Sequence, residues 1–169
     1  MDIDGHELLA TGSHDGTVRL WNPSAGTPVG LPLPCHAPVL AACTFRLDGR
    51  TLLATGGDAV QLWDPVTQTP VGAPLAGHNG WVTSVCTLQL CSRTLLVTGG
   101  GDATVRLWDP RNGASVGEPF VGHTESIKSV CGFDADGRTL IASAGIDATI
   151  LVWAFAPTTG GSSPINDPS

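Results

Sequence analysis

The sequence predicts an all-β fold built from repeated units, and three regularities support this prediction. Tryptophan closes a short β-rich stretch at positions 21, 63, 108 and 153, and two of these stretches, residues 17–21 and 104–108, are identical. The tryptophans are separated by 42, 45 and 45 residues. Short β-rich runs alternate with turn residues throughout the chain. A period of this length with β-type alternation is typical of the blades of a β-propeller rather than of a helical solenoid.

Each repeat has the elements of a four-stranded blade. In the third repeat we expect strands at residues 82–88, 95–98, 105–108 and 115–120. Asp-Gly pairs, which favour hairpin turns, recur at residues 4–5, 48–49 and 136–137. The fourth run of the first three repeats contains proline, which cannot donate to a ladder. We therefore expect the fourth strand to lie on an exposed edge of each blade.

The chain divides into four blades and a tail. The approximate boundaries are residues 1–35, 36–77, 78–122 and 123–155, followed by a disordered tail or linker at 156–169. The first blade lacks its innermost strand, and the last lacks its outermost strand. An open stack of this kind exposes apolar faces and strand edges. Three ways of covering them stay open: head-to-tail pairing of two chains into an eight-bladed ring, the remainder of a longer parent chain, or a four-bladed ring, which two incomplete blades disfavour.

The charge and composition of the chain limit the classes of partner and the cellular compartment that we expect. The chain has 8 Lys and Arg against 15 Asp and Glu, a net charge of −7, so we expect neither nucleic acid nor an anionic membrane as a partner. No apolar run reaches the roughly 20 residues of a membrane helix, and the N-terminus does not resemble a secretory signal. We expect a cytoplasmic location.

The five cysteines are not arranged as a disulfide or metal set. Cys43, Cys86 and Cys131 occupy equivalent repeat positions, so we interpret them as small buried core residues. Cys35 and Cys91 lie near turns and are candidates for exposed thiols.

Paired motifs in fixed register identify a family resemblance. Gly77-His78 and Gly122-His123 precede a first strand, and Trp63-Asp64 and Trp108-Asp109 end a third strand. Over about residues 1–155 the chain resembles the WD-repeat β-propeller family. The resemblance implies that each blade holds a hydrogen-bonded network of a His, a Ser or Thr, an Asp and the Trp.

The matching residues are complete in two blades. The third blade has His78, Thr98, Asp102 and Trp108, and the fourth has His123, Ser143, Asp147 and Trp153. The first blade has Thr11, Asp15 and Trp21 without a His, and the second has His36, Thr55 and Trp63. Asp58 lies one residue closer to its Trp than the other aspartates do, because the turn of the second blade is two residues shorter.

The combination of His, hydroxyl and carboxylate resembles a nucleophilic triad, but its repetition favours a structural role. A catalytic site needs one constellation, whereas this one recurs and includes an indole N–H that can donate to the hydroxyl. We therefore predict no enzymatic activity, no cofactor and no metal site. The alternative is an enzymatic or ligand-binding propeller that uses its central channel.

A few loop residues outside the repeated pattern are candidates for partner binding. Trp81 falls outside the register of the other tryptophans, and the next blade has Ser126 at that position. An exposed loop aromatic is a typical interface anchor, although Trp81 could instead cover the apolar surface of its own blade. Asn79 in the same loop, His14 and Glu125 complete the candidate set. The predicted function is a protein–protein interaction scaffold, or the sensor module of a larger signalling or regulatory protein.

Overall fold

Seventeen β-strands form the framework of the computed structural model, which describes residues 1–3, 6–90 and 92–154. The described residues include no helix that could cross a membrane. The predicted tail, residues 156–169, lies outside them. The strands are β1 Asp2–Ile3, β2 His6–Glu7, β3 Leu9–Gly12, β4 Thr17–Asn22, β5 Thr27–Pro34, β6 Ala41–Leu47, β7 Arg50–Gly56, β8 Val60–Asp64, β9 Thr69–Leu75, β10 Val82–Leu90, β11 Arg93–Gly100, β12 Thr104–Asp109, β13 Ala114–Ser115, β14 Phe120–Val121, β15 Ile127–Ala135, β16 Arg138–Gly145 and β17 Ile150–Ala154.

The strands form one antiparallel sheet for each repeat. In chain order the sheets are β3-β4-β5, β6-β7-β8-β9, β10-β11-β12 with β13 and β14 on the far side of β12, and β15-β16-β17. The prediction of an all-β segment of four blades, with the first and last incomplete, is confirmed. Strands β1 and β2 form a separate short ladder, in which Ile3 pairs with His6 as Ala135 pairs with Arg138 at the end of the β15-β16 hairpin. None of these four sheets closes on itself within the described part of the chain.

The fourth strand of each of the first three blades lies at an edge, as predicted from its prolines. Strands β5 and β9 each pair with one neighbour, and each contains a glycine at positive φ, Gly30 and Gly72, near a shift in register. The third blade differs from the prediction. Its expected strand at 115–120 is interrupted between β13 and β14, where Gly117 also has positive φ and Pro119 cannot donate a ladder hydrogen bond.

The core lies between the blades. Each of the three apolar clusters combines residues of one blade with residues of the next. Trp108 of the third blade packs among second-blade residues such as Phe45 and Val60, and Trp153 meets Phe120 edge-on at a centroid distance of 5.4 Å. In the second, third and fourth blades, the repeat Trp is therefore one of the residues that contact the preceding blade.

Two of the cysteines differ from their predicted environments, one where no described blade lies alongside its sheet and one in a loop that follows a different path. Cys43 and Cys86 are half-buried, and burial raises the pKa of Cys43 to about 12 and that of Cys86 to about 11. Cys131 is exposed rather than buried, because no described blade covers its side of the fourth sheet. Cys35 is half-buried rather than exposed. Cys91 lies outside the described residues.

Candidate functional site

The third blade contains a continuous chain of hydrogen bonds that joins its first loop to its third strand. Trp108 Nε1–H donates to Thr98 Oγ1 at 2.9 Å, and Thr98 Oγ1 lies 2.7 Å from His78 Nε2. His78 Nδ1 lies 2.9 Å from Asp102 Oδ1. The same carboxylate accepts the backbone N–H of Asn79 at 2.8 Å. The network thus connects the loop before β10, the second strand, the turn after it and the third strand.

The partners determine the tautomer of His78. An ionised carboxylate only accepts, so His78 Nδ1 carries the proton that is donated to Asp102, and the Thr98 hydroxyl donates to Nε2. Burial lowers the pKa of His78, and Asp102 opposes this shift only in part. Burial alone would raise the pKa of Asp102, but hydrogen bonds from Asn79, His78 and Thr104 hold it below its ordinary value. The arrangement therefore favours a neutral imidazole beside a charged carboxylate.

The fourth blade repeats this geometry. Trp153 Nε1 lies 2.8 Å from Ser143 Oγ, Ser143 Oγ lies 2.8 Å from His123 Nε2, and His123 Nδ1 lies 2.8 Å from Asp147 Oδ2. The backbone N–H of Thr124 donates to Asp147, and the pKa of Asp147 is lowered because these hydrogen bonds outweigh its desolvation. All eight residues predicted for the two complete networks are brought together.

A threonine two residues after the aspartate completes each network, and the sequence reasoning missed it. Asp102 Oδ1 accepts from both the backbone N–H and the hydroxyl of Thr104, and Asp147 accepts in the same way from Thr149. The residue between them, Ala103 or Ala148, has positive φ. The repeated Asp-x-Thr spacing is a visible signal that could have identified these threonines.

The first blade has only two parts of this network, the hydrogen bond from the Trp to its hydroxyl and the turn closed by the Asp. Trp21 Nε1 donates to Thr11 Oγ1 at 2.8 Å, and Asp15 accepts from Thr17 in the tight turn. These hydrogen bonds, with a further one from Ser13, lower the pKa of Asp15. Thr11 and Asp15 are not joined, because no imidazole lies between them in the described structure.

The second blade departs from the prediction for His36. Trp63 Nε1 donates to Thr55 Oγ1 at 3.0 Å, as expected, but His36 is exposed with φ of 59° and makes no hydrogen bond to any described residue. The residue that faces Thr55 is Cys35, whose pKa is raised by burial and lowered less by its contact with that hydroxyl. His36 must therefore be removed from the predicted network.

Two features of the loop explain why His36 points outward. In the complete blades the histidine lies 20 residues before its hydroxyl partner, and the residue 20 positions before Thr55 is Cys35. The glycine before His78 is also required, because a Cβ at Gly77 would lie 2.9 Å from the ring of Trp108. The loop at residues 34–38 has no glycine, so it cannot follow the same path against Trp63.

The aspartate of each Trp-Asp pair caps the turn that follows its strand. Asp64 accepts the backbone N–H groups of Val66 and Thr67, and Asp109 accepts that of Arg111. Each also pairs with an arginine at the start of the second strand, Arg50 or Arg93. Burial alone would raise the pKa of both carboxyls, but the backbone hydrogen bonds of the turn, and after them the arginines, hold it below its ordinary value. The arginines repeat in register, although the sequence reasoning did not single them out.

The networks are built for structure rather than for reaction with a substrate. Thr98 is fully buried and Ser143 nearly so, and both hydroxyls are already engaged by an indole and an imidazole. A substrate would have no access to either oxygen. Among the residues that the structure describes, no group of three or more His, Cys, Asp or Glu side chains is placed to hold a metal ion.

The four candidate partner-binding residues lie in loops and are all exposed. Trp81 and Asn79 belong to the loop before β10, Glu125 to the equivalent loop before β15, and His14 to the turn between β3 and β4. Trp81 is 47% exposed, and its backbone carbonyl accepts the N–H of Gly101 in the neighbouring turn. The loop is thus anchored through its backbone while the indole faces solvent.

Comparison with known families agrees with this architecture. The WD domain, G-beta repeat family (WD40) matches residues 3–22, 69–109 and 114–154, which together exceed half of the chain. The chain belongs to the WD40 repeat family. Repeats of this family generally mediate protein–protein interaction or scaffolding and are typically non-catalytic. The matches leave out residues 23–68, which contain the shortened turn and His36. No curated protein matches the chain.

Proposed function

We propose that this chain is a non-catalytic protein–protein interaction scaffold, or the sensor module of a larger signalling or regulatory protein. It binds through its loop face and through the two end faces of its stack of blades. One end face lies on the first blade and the other on the fourth. The observation that supports the proposal is that apolar residues at these two faces are exposed, whereas residues at the same repeat position inside the stack are buried.

The end face of the fourth blade exposes residues that are buried in the other blades. Ile150 is 66% exposed, whereas Val18, Val60 and Val105 at the equivalent position are fully buried. Phe133 is likewise partly exposed, whereas its counterpart Leu88 is buried. Burying one such side chain contributes about 1.5–3 kcal/mol, so the face favours a covering partner.

The end face of the first blade is complementary to it. Leu9 is 53% exposed, whereas Leu53, Leu96 and Ile141 at the equivalent position are fully buried against the preceding blade. Inside the stack, each blade has a face equivalent to the exposed end face of the fourth blade. It packs against a face of the next blade that is equivalent to the exposed end face of the first blade. The partner that fits is therefore another blade of the same type, supplied head to tail by a second copy or by the remainder of a longer parent chain.

The loop face is the second binding surface of the proposal. Trp81 supplies a large exposed aromatic group on a loop whose backbone is held in place, a combination typical of an interface anchor. Asn79, Glu125 and His14 supply polar groups on the same set of loops. The net charge of −7 favours protein partners over nucleic acid or anionic membrane. A cytoplasmic location is part of this proposal, and it is supported by the free state of the described cysteines.

The end-face part of the proposal is tested by absolute mass in solution, measured by light scattering after size exclusion at several concentrations. We expect a species of twice the chain mass that dissociates in Ile150→Glu and in Leu9→Glu. Leu31→Glu is the matched control, because Leu31 is an exposed apolar residue on an outer strand. A wild-type species of one chain mass at every concentration would contradict pairing.

The loop-face part is tested separately with Trp81→Ala, which leaves both end faces intact. Proteins captured from a lysate by the wild type and by this variant are compared by quantitative mass spectrometry. We expect specific partners to be lost from the variant. Equal capture by both proteins would remove Trp81 as an anchor.

A further inference from the structure

The second blade contains a cleft where the third and fourth blades hold their histidine networks. The cleft has a volume of about 390 Å³. One wall is the loop at residues 34–39, another is the turn at residues 55–59, and Trp63, Pro70 and Pro74 form the outer wall. Pockets of this size hold small molecules in other proteins.

The cleft arises because the second blade lacks the groups that fill this position elsewhere. Cys35 replaces an imidazole with a shorter side chain, and His36 points away from the network. The turn after β7 is also shorter, since Thr55 and Trp63 are 8 residues apart where Thr98 and Trp108 are 10 apart. Gln61 stands in place of the longer Arg106. The chain therefore leaves open the space that an imidazole and its turn occupy in the next blade.

Two polar groups that hold the histidine in the complete blades remain at the wall of this cleft. Thr55 Oγ1 accepts from Trp63 and lies 3.3 Å from the carbonyl of Gln61, and the short Cys35 side chain also contacts this hydroxyl. Asp58 accepts one hydrogen bond, from the adjacent Ala59 N–H at 2.9 Å. By contrast, Thr98 donates to an imidazole at 2.7 Å. The second blade thus offers a hydroxyl donor and a carboxylate acceptor without the ring that joins their counterparts.

We propose that this cleft binds a small molecule that carries an azole ring. The ring occupies the position that the His78 imidazole occupies in the third blade. A ring nitrogen accepts from the Thr55 hydroxyl, and the ring N–H donates to the Asp58 carboxylate. The ring packs beside Trp63, as His78 packs beside Trp108 at a centroid distance of 6.3 Å. The rest of the molecule extends toward Pro70 and Pro74, because the cleft is larger than a single azole ring.

Imidazole is the probe for a titration followed by ¹H–¹⁵N NMR of the full chain, at about pH 8, where the free ring is mostly neutral. We expect a saturable shift of the Trp63 indole N–H and of the Ala59 amide. The indoles of Trp108 and Trp153 are internal controls and should not move, because their blades already contain the ring. A wild type whose Trp63 signal does not shift, or in which all these indoles shift together, overturns the proposal.

Variants of exposed residues test the contacts without disturbing the core. Asp58→Asn should weaken imidazole binding about tenfold, and 1-methylimidazole, which lacks the N–H, should bind the wild type similarly weakly. Asp136→Asn, in an exposed turn of the fourth blade, is the matched control and should bind normally. Equal affinity in Asp58→Asn and the wild type overturns the assigned contact. A tenfold gain in affinity in His36→Ala would identify the neighbouring His36 side chain as the occupant and overturn the assignment to a free ligand.

Discussion

Replacing Thr98 by valine should show how much one shared hydroxyl contributes to the fold. The side chain is fully buried, and its oxygen lies 2.9 Å from Trp108 Nε1 and 2.7 Å from His78 Nε2. Valine nearly preserves its shape, so the packing changes little while two buried polar groups lose their partner. Each buried group without its hydrogen bond costs about 1–3 kcal/mol, so the loss of two gives an expected decrease of about 2–6 kcal/mol in the free energy of unfolding.

The other blades supply matched controls for this substitution. Thr55→Val leaves the Trp63 indole without its acceptor, while the half-buried Cys35 loses only a weaker contact, so the substitution should cost about 1–3 kcal/mol. Thr11→Val should cost less than about 1 kcal/mol, since Thr11 is exposed and water can replace it as the acceptor for Trp21. The three substitutions make the same chemical change in three different environments.

The measurement is urea unfolding followed by circular dichroism, with the slope of each transition compared before the midpoints are converted into free energies. For a chain of this size, each kcal/mol lost should lower the melting temperature by about 2–4 °C. The loss of stability should be largest for Thr98→Val, smaller for Thr55→Val and smallest for Thr11→Val. If the three losses were equal, or if Thr98→Val cost no more than Thr11→Val, the shared hydroxyl would not stabilise the network as described.

Acid and thiol reagents provide two further predictions. Because burial lowers the pKa of His78 below the 6.5 of an unperturbed histidine, the unfolded chain binds the proton more readily. Stability should hold above about pH 6.5 and fall as the pH drops toward the folded-state pKa of His78. A second decline should begin below about pH 3.8, because the Asp102 carboxyl, whose pKa is lowered by folding, binds a proton more readily in the unfolded chain. A urea midpoint that rises between pH 7 and pH 5 would contradict this sign. In the Ile150→Glu variant, the exposed Cys131 should react with a disulfide reagent while the protein is still folded. Cys43, whose pKa is raised to about 12, should react only after the protein unfolds. Peptide mapping follows both reactions. Early labelling of Cys43 would show that its strand opens in the native state.

The sheets were predictable because their signals are local and repeated. Alternation along a strand and turn residues at fixed places define each hairpin without knowledge of the rest of the fold. The residues of the complete networks could be found from motif register alone, as with His123 and Ser143. The interruption of the fourth strand in the third blade was not predictable, since the same Val-Gly-x-Pro pattern at residues 29–32 and 71–74 lies in continuous strands.

The prediction that His36 belongs to the network was wrong because it followed the residue type rather than the spacing from Thr55. A histidine one position late cannot reach Thr55 when the loop lacks the glycine that would let it pass the Trp ring. The separation of 20 residues between histidine and hydroxyl was visible in the sequence and would have indicated Cys35. The error at Cys131 has a different cause. Register identifies an equivalent position within a blade, but burial at that position depends on whether another blade lies against it.

The position of the tryptophans makes the stack directional. Each buried indole is bonded to a hydroxyl of its own blade while its ring packs on the blade before it, as Trp108 does with Thr98 and with the second blade. A substitution that removes the hydrogen bond of the indole should therefore also weaken the packing of its ring on the preceding blade. Neighbouring blades should therefore unfold as coupled units rather than independently, because the indole and the apolar residues around it join the two blades at each boundary.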